Sequence, residues 1–71
     1  MSVSTIIKRI IAESGKSHND LAEDFNVTSS TINQWIGKQR VPSFHKLLAI
    51  LKMAKLHKVK VEIDDLFDDH H

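Results

Sequence analysis

The sequence predicts an all-α domain of four to five short helices, with a short strand suggested at residues 59–63. Three observations carry this reading. Apolar residues recur every three or four positions through most of the chain, which is the period of one helix face. Each run is bounded by the Ser, Thr, Asp, Asn, Gly or Pro residues that start and stop helices. The chain has 71 residues, 41% hydrophobic and 27% charged, a balance that suits one folded domain over 1–71 with a small core.

Val3, Ile6, Ile7, Ile10 and Ile11 line one face of a first helix, with Ser2 or Ser4 as its cap and Gly15 as a left-handed stop. Ser17 and Asp20 have the form of a capping box with Asp in place of the usual Glu or Gln. Leu21, Ala22 and Phe25 then supply the buried stripe of a second helix, residues 18–25. Asn26 follows; apart from glycine it best tolerates the left-handed conformation that a sharp exit needs. Thr28 caps a third helix, residues 29–36, whose buried side is Ile32, Trp35 and Ile36 and which Gly37 ends.

The basic segment Lys38–Val41 leads to Pro42 and Ser43, which introduce the fourth and longest helix. Its broad apolar face comprises Phe44, Leu47, Leu48, Leu51 and Ala54, or its neighbours Ile50 and Met53, and it reaches Leu56 or His57. Beyond it Val59, Val61 and Ile63 alternate with Lys60 and Glu62, the period of a strand, although so short a run also fits an extended loop. Asp64 is placed to cap a last turn in which Leu66 and Phe67 close the core.

Charge is distributed unevenly along the chain. The formal net charge is only +1, which by itself argues against a strongly basic nucleic-acid binder. Between Phe25 and Val61, however, there is no acidic residue and there are seven basic ones: Lys38, Arg40, Lys46, Lys52, Lys55, Lys58 and Lys60. Five of the nine acids fall in the last ten residues. A solvated set of helix faces explains such a pattern as simply as a surface for phosphates does. Lys52, Lys55, Lys58 and Lys60, far along the fourth helix and past it, fit the solvated reading better.

The third helix supplies a sharper signal. Two short helices joined by a tight turn are the ingredients of a helix-turn-helix. With Ile32 at the centre of the buried side and about 100° per residue, Ser30 and Gln34 point almost opposite it and Asn33 lies on one flank. An ordinary surface helix would carry Lys and Glu there, because they are better helix formers than Ser or Asn. Small side chains that both donate and accept hydrogen bonds suit base edges in a major groove, where Asn or Gln pairs bidentately with adenine.

The stretch HNDLAEDFNVTSSTINQWIGKQRVPS resembles the helix-turn-helix of Cro-like phage repressors and the related Xre-family regulators, within a likeness that covers roughly residues 3–56. The resemblance implies a lambda-repressor-like bundle of four to five helices, with the helix-turn-helix at 17–37. It also implies binding to operator DNA as a dimer, the third helix entering the major groove. By position, Ser29, Ser30, Asn33 and Gln34 would face bases, and His18, Thr28, Lys38, Arg40 and Ser43 would hold phosphates. The chain departs from the family pattern at Asn26, where Gly is common. At Ile11 and Ile36 an apolar contact would stand where the family often has an Arg–Glu pair. Extra residues around His57–Val61 are a third departure, and there the family's dimer contact does not transfer.

The segment 57–69 is expected to form the dimer contact through Val59, Val61, Ile63 and Phe67, more apolar material than so small a core absorbs. No metal site is expected, because His18, His45 and His57 are scattered without a carboxylate at ligand spacing. Nor is an enzyme or a cofactor expected, since the chain has no cysteine, no nucleophile with a matching base and no glycine-rich loop. The absence of cysteine fits a reducing cytoplasm, and the longest apolar run, Leu47–Leu51, is far too short for a membrane span. The expected function is that of a small transcriptional regulator, a repressor, that binds double-stranded DNA as a homodimer. The alternative is a protein-interaction module, an antitoxin or adaptor, whose acidic tail mimics or shields nucleic acid.

Overall fold

A computed structural model describes residues 3–61. Among the described residues four helices follow one another: α1 (Val3–Ser14), α2 (His18–Phe25), α3 (Ser29–Ile36) and α4 (Phe44–Leu56). Among the described residues there is no strand. The helices start where side-chain caps are available. Ser17, Thr28 and Ser43 each hold an extended backbone and accept the N–H of the residue three positions on, and Asp20 accepts the Ser17 N–H to complete the capping box.

The helices end by left-handed residues, one of them glycine. Gly15 has φ 72° and donates its N–H to Ile11. Asn26 (φ 57°), Lys38 (φ 62°) and Lys58 (φ 61°) end the other three in the same way. In each case the next residue reaches back to a carbonyl five positions earlier: Val27 to Ala22, Gln39 to Gln34 and Val59 to Ala54. These are Schellman closures. Gly37 caps the end of α3, as expected, with φ −80°, and Lys38 takes the left-handed position one residue later.

Over residues 59–61 the same closure stands in place of the strand suggested at 59–63, and of the alternatives the sequence left open it favours a loop. Val59 directs its N–H back to Ala54 and buries its side chain, at 7% exposure, against the helices, so the chain at 59–61 caps α4 and pairs with no neighbouring strand. Residues 62–63 of that strand, the last turn with Asp64, Leu66 and Phe67, and Ser2 lie outside the described residues. The alternative cap, Ser4, lies within α1. It is buried and donates its hydroxyl to the Ile36 carbonyl at 2.6 Å, tying α1 to the last turn of α3.

α1 packs on α3 and α4, and α2 packs on α3 and α4. Ile6, Ile7, Ile10, Leu21, Ile32 and Ile50 are wholly buried at the centre. Each such side chain contributes about 1.5–3 kcal/mol through loss of contact with water. Phe25 and Trp35 meet across α2 and α3 with ring centroids 6.3 Å apart and planes tilted by 51°. Ile11 and Ile36 both lie half-buried against this core. α4 turns Ile50 and Ala54 fully inward, whereas Phe44 and Leu48, expected on its core face, are exposed. At about 100° per residue these two lie about 120° and 160° round the helix from Ile50, so one core cannot reach all of so wide an apolar face.

Candidate nucleic-acid interface

α2 and α3 are joined through Asn26 and Val27, with Thr28 already capping α3. The buried stripes of the two helices fix their relative angle, because Leu21, Ala22 and Phe25 meet Ile32 and Trp35 in one core. What remains of α3 is its polar face. Ser30 and Asn33 are exposed, and Ser29 and Gln34 are half-buried. No residue of α3 is ionisable, so the face is neutral and consists of hydroxyl and carboxamide groups that donate and accept.

The flanks of this face are held as firmly as the face. At its N-terminal end, Thr28 Oγ1 accepts the Thr31 N–H at 3.1 Å and shares a hydrogen bond with Thr31 Oγ1 at 3.0 Å. Alongside it, His18, the first residue of α2, places Nδ1 2.8 Å from Asn33 Oδ1. At its C-terminal end, Gln34 accepts the backbone N–H groups of both Gln39 and Arg40, so the loop that carries the exposed Lys38 and Arg40 is anchored to α3. Ser43 closes that loop as the cap of α4; its oxygen accepts the Lys46 N–H, which leaves its hydroxyl proton free to donate. The first-turn N–H groups of α2 and α4 without a helix acceptor add further donors.

Of the residues expected to hold phosphates, His18, Thr28, Lys38, Arg40 and Ser43 are all exposed. The contact between His18 and Asn33 brings one residue of that set together with one of the base-facing set. Sequence reasoning did not find this contact, because nothing in the spacing of two residues fifteen positions apart announces it. Lys46, one of the seven cations of the basic run, is committed elsewhere: its Nζ donates to the Phe25 carbonyl at 2.6 Å and caps the C-terminus of α2. Lys52, Lys55, Lys58 and Lys60 are exposed on α4 and beyond it; Lys55, Lys58 and Lys60 line a groove with Leu51, Val59 and Val61.

Among the residues expected at a dimer contact, Val59 is buried within its own subunit and Val61 is half-buried against the same core. Ile63 and Phe67 lie outside the described residues. The large apolar side chains that are exposed stand elsewhere: Val41 (82%), Phe44 (68%), Leu48 (42%) and Leu56 (73%). Among the described residues no group of His, Asp or Glu is gathered to hold a metal, and no helix is long and apolar enough to cross a membrane. Compared with protein families, characterised proteins and solved structures, the chain has no match in any of the three.

Proposed function

We propose that this chain is a sequence-dependent binder of double-stranded DNA, laying α3 in the major groove as one half of a homodimer. The observation that carries the reading is the uncharged face of α3, with Ser30 and Asn33 exposed, set between a capped start at Thr28 and an anchored basic loop carrying Lys38 and Arg40. An eight-residue helix is about 12 Å long, close to the width of the groove it would enter. On this reading Ser29, Ser30, Asn33 and Gln34 meet base edges, and His18, Thr28, Lys38, Arg40 and Ser43 meet phosphates. The bundle is then of the lambda-repressor-like kind, and the chain acts in the cytoplasm as a transcriptional repressor by occupying its operator.

The test is titration of the purified protein with a random-sequence duplex at increasing salt, followed by selection of preferred sites from a random pool. Affinity for random duplex is expected to fall steeply as salt rises, and the selected half-sites are expected to lean to A·T, since α3 offers Asn and Gln but no Arg to read guanine. Absence of duplex binding at low salt overturns the reading. The exposed Val41, Phe44 and Leu48 favour a second reading in that event, an antitoxin-like or adaptor module that holds another protein through this apolar surface.

A further inference from the structure

The hydrogen bond between His18 and Asn33 constrains both partners. A carboxamide oxygen bears no proton and only accepts, so Nδ1 of His18 is the protonated nitrogen. Asn33 is thereby held with Oδ1 turned to α2 and Nδ2 left as a donor of two hydrogens. In the neutral ring the remaining nitrogen, Nε2, then carries a lone pair and no hydrogen. A lone pair facing a phosphate oxygen is repelled by it. Nε2 therefore meets a phosphate only after it takes up a proton, when both ring nitrogens donate.

We propose that His18 is the positioning residue for base readout by Asn33 and that it engages DNA as the imidazolium. Nε2–H donates to a backbone phosphate while Nδ1–H holds Asn33, so binding takes up a proton. The inference rests on the DNA-binding reading above. Asn33 Oδ1 keeps one lone pair beside the bond to His18, and Nδ2 keeps its hydrogens. The side chain thus still offers the acceptor and donor that pair with adenine, now in a single orientation.

Among the described residues, no hydrogen bond or ion pair joins His18 to a charged side chain. α3 carries no ionisable side chain. On α2, Asp20 is engaged by the Ser17 N–H at 3.1 Å, and Asp24 is paired with Lys16 at 2.6 Å; Glu23 lies more than a turn further along α2. Lys46, the cation that α4 sets against α2, is bound at the opposite end of that helix.

The test compares wild type, His18→Gln and His18→Ala on a duplex chosen from a random pool by the wild type, at constant ionic strength from roughly pH 5.5 to 8.5, the range where imidazole titrates. A glutamine amide donates to both partners and does not titrate. Relative to His18→Gln, wild-type affinity is expected to fall by up to about tenfold per pH unit for each proton taken up. His18→Ala is expected to bind more weakly at low pH and to relax preference at one base pair. Without DNA, the Asn33 side-chain amide resonances are expected to move with pH over the same range in the wild type and to stay still in His18→Gln. Wild-type binding with the same pH slope as His18→Gln, or Asn33 resonances indifferent to pH, overturns this inference and leaves the DNA reading standing. A wild type that binds no duplex at any pH overturns both.

Discussion

Three of the four left-handed positions among the described residues are not glycine, and two of them are lysine. A residue with a Cβ in that conformation costs about 1–2 kcal/mol, against about 1 kcal/mol of backbone entropy for glycine. Lys58→Gly is therefore expected to raise stability by up to about 1 kcal/mol, read as a shift of the urea midpoint at unchanged slope. Lys38→Gly should gain as much stability and yet lose affinity for duplex, because Lys38 also stands exposed at the end of α3. A Lys38→Gly protein that gains stability without losing affinity removes Lys38 from the phosphate set. The pair Gly37–Lys38 also marks a limit of reading sequence. Glycine signals a left-handed residue, but the closing hydrogen bond from Gln39 to the Gln34 carbonyl places that position on Lys38, one residue past Gly37. Only the length of the helix decides between the two, to within the single residue that sequence boundaries leave open.

At the scale of elements, the capping box of α2 shows how a short helix is held. Ser17→Ala removes the acceptor for the Asp20 N–H and is expected to cost about 1 kcal/mol in chemical denaturation. The partner carboxylate adds a pH dependence. Hydrogen bonds from the Ser17 backbone and hydroxyl, with Lys16 nearby, lower the pKa of Asp20 below its ordinary value. A depressed carboxylate contributes stability that is present above the ordinary carboxylate range and is lost as pH falls through the folded-state pKa. The stability difference between wild type and Asp20→Asn should accordingly be full at neutral pH and shrink in acid. A difference that is constant down to about pH 2 contradicts the box as the cause.

α1, α2 and α3 were legible from sequence because each has one apolar stripe and recognisable caps. α4 was legible as a helix but not in its orientation, because apolar residues run most of the way round it and only packing chooses a side. Ile50→Ala is expected to cost about 2–5 kcal/mol, whereas Leu48→Ala, at 42% exposure, should cost under about 1 kcal/mol. Equal costs would mean that Leu48 is covered in solution, and a second copy of the chain is then the first candidate to look for by sedimentation.

At the scale of the molecule, charge and size can be joined in one measurement. The described residues extend 30 × 26 × 20 Å, less than the roughly 34 Å of one turn of DNA, so one copy covers a half-site and two are needed to read an operator. The basic run of seven cations was plain in the sequence, but their roles were not, since Lys46 is committed to a carbonyl that only the tertiary fold brings near. Lys52, Lys55, Lys58 and Lys60 lie on or beyond α4, away from α3 in the chain. Lys38 and Arg40, with His18 when protonated, are what the proposed footprint retains. Two to three cations per copy give four to six per dimer, and a plot of log affinity against log salt is expected to fall with a slope of about −4 to −5. All seven cations in both copies would give a slope near −13. Arg40→Ala should flatten the slope by about one unit per copy, while changing both Lys55 and Lys60 to Gln should leave it as it was. If Lys55 and Lys60 move the slope as much as Arg40 does, the chain lies on DNA through a different face, and α3 is not its reading head.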